Sequence, residues 1–502
     1  MHPIAYRIAK VIRLSLFVAS LIGSVAFVSA APAAPDGWYK LSSDGPLPIG
    51  GDVHDFEISP DGVYTVYQAG QDVADMPQLY AARNDGSVPP VRLSALPQRG
   101  QYIREFTVSA DNAHVVYTAD QDTRNVIELY SAPLDGSTAP VKLNGPLVEG
   151  GSLYDYYGGF YLSPDGRWVV YRADQETDDV QELYVAPVDG SAAAEKLNGP
   201  LPTDGDAYAY AITPDSQYLL YTADHDTANV SELYRVPLDG SAAPAKLNGT
   251  LTAGGAVSSF KISPDSQWVA YLADADTDNV TELYAVPLDS LAAPIKLNGP
   301  LTAGGNVGFA STFYISPDSQ WVVYWADQDT NDVDELYSVP IGGGAPVKLN
   351  PPLIPGGDVS WVWEPQISAD SSRVVYLADQ ETNDWEEIFS VPIAGGTSTK
   401  LNGPLAGNYP YDFAISPDSS RVVYRARQDS ATRYELYSVP LAGGATTKLN
   451  GTLFSGGQVN SFLISSNGAR VVFMADQGTT SGNELYRVPT AGGGATKVNG
   501  AL

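Results

Sequence analysis

The chain has 502 residues, no cysteine and a formal net charge of −30. The absent cysteines exclude disulfides, thiol catalysis and thiolate metal sites. The charge argues against nucleic acid or an anionic membrane surface as a partner and favours cations, cationic peptides or plain solubility.

Residues 1–30 carry Arg7, Lys10 and Arg13, an apolar run from Leu14 to Val28, and Val28-Ser29-Ala30 ahead of Ala31-Pro32. A basic start, an apolar centre and a small-residue end make a secretory signal peptide. The run falls short of the roughly 20 apolar residues that span a bilayer, so the expectation is a periplasmic or secreted monomer with no membrane insertion after cleavage. Residues 31–52 form an N-terminal segment in which Trp38 to Gly51 is similar to Ile295 to Gly305, the end of a later repeat, and so reads as an orphan fourth strand.

From residue 53 to 502 one pattern recurs. The tripeptide Glu-Leu-Tyr, in edited form Gln78-Leu79-Tyr80 and Glu387-Ile388-Phe389, marks nine copies spaced 48 to 54 residues apart. Within the copy from Phe260 to Gly299, β-branched and aromatic residues cluster in Trp268 to Leu272 and Glu282 to Pro287, and Ser-Pro-Asp, Asp-Ser and Asn-Gly-Pro separate the runs. These signals predict four short strands per copy: a (259–263), b (268–272), c (282–287) and d (294–297). A four-stranded meander has two apolar faces that it cannot bury alone, so copies must stack. Stacking about an axis gives an all-β single β-propeller of about nine four-stranded blades. Known propellers run from about four to eight blades, so eight blades plus an irregular unit, or two smaller rings, are the alternatives.

In such a blade the a–b and c–d turns share one face and the b–c and d–a loops the other. Ser-Pro-Asp-Gly/Ser and Asp-Gly-Ser on the first face are turn chemistry. On the second face the b–c loops are acidic, as in Asp274-Ala275-Asp276-Thr277-Asp278. Carboxylates at alternate positions suit a hard divalent ion, which makes Asp274, Asp276 and Asp278 the candidate metal ligands and Ca²⁺ the candidate cofactor. The recurring Glu of Glu-Leu-Tyr reads as structural, through a hydrogen bond within each blade.

Departures from the repeat are better places to look for function, because stacking does not explain them. Insertions in the d–a loops of copies three, six and seven bring Tyr154, Tyr156 and Tyr157, Phe309, and Trp361 and Trp363. With Tyr208, Tyr210, Trp385, Tyr409 and Tyr411 they are expected around a channel mouth, where rings beside carboxylates stack on sugars or clamp a cationic ligand. Trp168, Trp268 and Trp321 share one strand-b position and read as core. There is no catalytic motif of the Gly-x-Ser-x-Gly, His-Glu-x-x-His or phosphate-loop kind, and His54, His114 and His225 are isolated in different copies, His225 reading as a solvent-facing loop residue.

Ser-Pro-Asp-Gly/Ser, Val-Val-Tyr-x-Ala-Asp and Glu-Leu-Tyr-x-Val-Pro-Leu-Asp-Gly together resemble the WD40-like, Asp-containing (PD40) repeat of the TolB-like propeller family, over residues 53 to 502. The same repeat type occurs in propellers that precede prolyl-oligopeptidase-type hydrolases. The resemblance implies a periplasmic, partner-binding propeller. Residues 31–52 are too few for the α/β domain that precedes the TolB ring, and the chain stops within its last copy, so a catalytic domain is not expected either. The expected function is an exported binding or protein-interaction module acting through its acidic, aromatic loop face. Its partners would be an envelope or extracellular protein, a cationic peptide or a glycan. A carbohydrate-active lyase or hydrolase at the same mouth, or a calcium-stabilised surface protein, are the alternatives.

Overall fold

The computed structural model describes residues 41–42, 52–73, 76–95, 101–154, 159–203, 205–290, 292–308, 313–360, 363–407, 410–477 and 482–500. The signal peptide, most of the 31–52 segment, and Tyr156, Tyr157, Phe309, Trp361 and Tyr409 lie outside them. Among the described residues there is no helix, and there are nine four-stranded antiparallel sheets, each a meander in the order a-b-c-d. No sheet lacks a strand. The chain divides into two compact units: Met1–Gly249 holds four sheets, Thr250–Leu502 five.

In the fifth sheet the strands are Val257–Ile262, Trp268–Ala273, Glu282–Pro287 and Ile295–Lys296. Strand c has the predicted bounds, whereas strand d is shorter than predicted. Strands b and c are buried on both faces rather than alternately, since each sheet is covered on both sides. Tyr271 pairs with Tyr284 across b and c, with ring centroids 5.4 Å apart. The same stacked pair recurs through the chain, as Tyr376–Phe389 in the seventh sheet and Phe473–Tyr486 in the ninth.

Within each unit, successive sheets share a core. Ala270, Leu272, Leu283, Ala285 and Leu297 of the fifth sheet meet Val307, Phe313, Tyr324, Tyr337 and Ile341 of the sixth. A small and aliphatic face thus receives an aromatic one. Trp168, Trp268 and Trp321 are half-buried and pack against the next sheet's core, as expected. Leu41 packs beside Tyr67, Ala69, Tyr80 and Ala82 of the first sheet.

Polar residues of the repeat hold each sheet's edge. In the second sheet Glu128 accepts from Tyr130 Oη (2.9 Å) and Lys142 Nζ (2.6 Å), and Lys142 also reaches Asp122 in the b–c loop (2.7 Å). Asn144 Oδ1 accepts the Leu129 N–H (2.8 Å) and ties the end of strand d to strand c. This chain of contacts explains Glu-Leu-Tyr and Lys-Leu-Asn together, and it is the within-blade hydrogen bond expected of the Glu. On the opposite end the turns join neighbouring sheets: Ser319, at φ 62°, accepts the Asp265 N–H on Oγ at 3.0 Å.

Glu128 is buried, so Glu128→Ala removes the acceptor shared by Tyr130 and Lys142, leaves Lys142 only Asp122, and is expected to cost about 1–3 kcal/mol. Gln, the residue of the first copy at position 78, keeps one acceptor and is expected to lose less in urea unfolding. Equal losses for the two variants would refute the hydrogen-bond explanation.

Candidate ligand-binding site

The b–c and d–a loops meet at one end of each sheet. Asp274 Oδ1 accepts the Ala256 N–H of the d–a loop (2.6 Å), and its Oδ2 accepts the Asn279 N–H (3.1 Å), where Asn279 sits at φ 60°. Asp276 pairs with Lys296 (3.0 Å), which also pairs with Glu282. Asp278 accepts from Asn279 Nδ2 (2.9 Å) beside Gly254, where a Cβ would come 2.6 Å from its Oδ1. The three candidate calcium ligands therefore serve three separate tasks: capping, ion pairing and turn packing. Among the described residues no group of three or more His, Cys, Asp or Glu side chains could hold a metal ion.

Residues 155–158, 309–312 and 361–362 of the insertions in copies three, six and seven lie outside the described residues, and the described residues on either side belong to the strand-a region. Regular sheets carry an irregularity there, as between Val257 and Ser259. In the three long copies an isolated bridge (Leu153↔Ala173, Val307↔Ala326, Val359↔Ala378) stands apart from a strand a of only two or three residues.

The described aromatic candidates form two groups, one in each unit. In the first unit Tyr154 is exposed and its ring lies 4.0 Å from the Arg172 guanidinium carbon. Arg172 Nη1 donates to the carbonyls of Ala207 (3.4 Å) and Tyr208 (3.3 Å). Tyr208 Oη donates to Asp224 (2.7 Å), and burial, then Asp224, pushes its pKa up. Tyr210 meets Tyr161 edge-on at 5.0 Å.

In the second unit Trp363 lies 6.2 Å from Tyr411, and Tyr411 lies 5.1 Å from Tyr434. Arg425, buried, stacks under Tyr411 at 4.4 Å, grips Asp412 with two 2.7 Å hydrogen bonds, and donates to the carbonyls of Val459 (3.2 Å) and Asn460. Arg427 stacks on Tyr434 at 4.4 Å. Trp385 stands in the seventh b–c loop, half-buried, and is not among these stacked rings.

Arg172, Arg425, Arg427 and Tyr434 are absent from the sequence-based candidates. The signal was present: Tyr424-Arg425-Ala426-Arg427 stands where the fifth copy has Tyr271-Leu272-Ala273-Asp274.

Two more departures have structural consequences. His225 occupies the place of Gln175 and Gln328 and bonds Tyr221 Oη through Nε2 (3.1 Å) while stacking on Tyr234 at 4.3 Å. It is therefore not a free loop residue, and burial lowers its pKa. Asp334 of the sixth copy and Asp358 of the seventh stand where Thr281 of the fifth and Asn306 of the sixth are joined by an N–H···Oδ1 bond of 2.9 Å. Burial, then Asp358, raises the Asp334 pKa to about 6.

The molecule is thus a repeat protein of stacked four-stranded β-meanders with two arginine-backed aromatic groups on its loop ends. No protein-family profile matches the chain, and no curated protein matches it. Among solved structures it is similar to one from a study of two prolyl endopeptidases (14% identity, TM-score 0.37, 67% of this chain and 48% of that one). It is similar also to a putative TolB from Agrobacterium tumefaciens (18%, 0.28, 48% and 79%) and to prolyl oligopeptidase B from Galerina marginata (11%, 0.37, 78% and 56%). This chain therefore spans about half the length of the first of these, 48%.

Asp274→Ala removes two caps and is expected to cost about 1–2 kcal/mol, whereas Asp276→Ala loses a surface pair and should cost under about 1 kcal/mol. Thermal melts of the two variants check the ranking.

A carboxyl with a raised folded pKa contributes full stability below its unfolded value of 3.8, and that contribution is lost as pH rises through about 6. Asp334→Asn should therefore match wild type below pH 4 and melt higher at pH 7, by about 1 kcal/mol once solvent screening is allowed for. A gap that does not change with pH would contradict this.

Proposed function

We propose that the nine sheets are the blades of one β-propeller and that the protein is an exported binding module, periplasmic or secreted, that engages an envelope or extracellular ligand through its b–c and d–a loop face. One observation carries the reading. Repeated polar residues are occupied with capping, turn and edge contacts, while the residues that break the repeat on the loop face leave Tyr154, Tyr208 and Tyr411 exposed. Exposed rings held on arginines are preorganised contact surface, and aromatic anchors dominate recognition energetics.

The reading is tested by screening the purified protein against envelope glycans and peptides, then repeating with Tyr154→Ala, Trp363→Ala and, on the opposite turn face, Asp189→Ala. Binding is expected to weaken at least fivefold in one of the loop-face variants and to stay unchanged in the turn-face variant. The reverse pattern would overturn it.

A further inference from the structure

We propose that Trp363, Tyr411, Tyr434 and Arg427 of the second unit bind a carboxylate-bearing sugar, a reading that rests on the loop-face proposal and names its ligand class. The eighth copy carries a costly exchange. Copies two to seven place an aspartate at the first b–c loop position, and it caps backbone N–H groups: Asp174 takes Ser152 at 2.6 Å, Asp274 Ala256 at 2.6 Å, Asp379 Asp358 at 2.6 Å. The eighth copy has Arg427 there. A guanidinium has no acceptor and so cannot cap. The exchange forfeits the carboxylate cap and leaves a guanidinium stacked on Tyr434 in its place, a departure that points to a use outside the fold.

Arg427 also lacks a counter-charge. The strand-d lysines and Arg425 each face a carboxylate. Among the described residues no carboxylate pairs with Arg427, and its Nε is buried without a hydrogen-bond partner. Its stem is held in place by Gly407, where a Cβ would come 2.8 Å from the Arg427 Cδ. In a chain of net charge −30, an arginine so fixed and so unpaired is a receptor for an anion.

The rings beside it set the shape of that anion. Tyr434 is buried beneath Arg427, Tyr411 is 45% exposed, and Trp363 stands next to it. Arg425, locked by Asp412, occupies one face of Tyr411. The ring's attraction for cations is thus already used, and Arg427 repels a further cation. A sugar ring offers an apolar C–H face for Tyr411 and Trp363, and a carboxylate on that ring reaches Arg427 bidentately. A neutral sugar would leave Arg427 unpaired.

The test is calorimetric titration of the purified protein with an oligoglucuronate trimer and with a neutral glucose trimer, for wild type, Trp363→Ala and Arg427→Asp. The last variant restores the aspartate of the other copies, so it is expected to melt at or above the wild-type temperature while losing affinity for the acidic trimer by tenfold or more. Trp363→Ala is expected to weaken it several-fold. Absence of acidic-trimer binding, equal binding of the neutral trimer, or binding unaffected by Arg427→Asp would each overturn the proposal. If instead another ligand binds and loses affinity with Tyr154→Ala, the sugar assignment fails and the loop-face reading stands.

Discussion

A sheet whose two faces are both apolar cannot exist in water by itself. The repeat of the chain follows from that constraint. The strand-b segment Trp268–Ala273 is buried almost throughout because neighbours lie on either side of it, and the neighbours must be of the same kind to offer matching surfaces. The match is directional, with Ala270, Leu272 and Leu283 presented to the aromatic residues Phe313, Tyr324 and Tyr337 of the next sheet. A period of about 50 residues is the sequence's record of this demand.

Stacking fixes the middle of each sheet but leaves its ends to polar contacts. There the acidic character of the chain has a structural origin: the Glu of strand c, the Lys of strand d and a carboxylate of the b–c loop form one connected set, as in Glu232, Lys246 and Asp226. Where the partner differs, the set adapts. The seventh copy has Phe389 in place of the tyrosine, and burial raises the pKa of Glu387 although Lys400 opposes it. The loops are acidic largely because the sheets need them to be.

This explains what could be read in the sequence and what could not. The strands, their number and the structural role of Glu-Leu-Tyr depend on local pattern and period, and the bounds of Glu282–Pro287 followed directly. The partners of the loop carboxylates did not, because Asp276 meets a lysine twenty residues on, through strand pairing. Alternating carboxylates look alike whether they await a metal or a lysine. Likewise Arg425 and Asp412 face each other only once the register of strands a and b is known. The aromatic departures are visible, but the arginines that back them are hidden by their repeat-like neighbours. The half-buried setting of His225 is not legible either, because its stacking on Tyr234 crosses from the loop to strand c.

Repeated residues hold the fold, and the eighth copy's departures do not. The most direct test is to replace those departures with their counterparts in the fifth copy: Tyr411→Ser, Asp412→Ser, Arg425→Leu, Arg427→Asp and Tyr434→Thr in one variant. The expected result is a folded protein that melts at or above the wild-type temperature. A variant that melts well below wild type would show that these residues serve the fold, and would contradict the account.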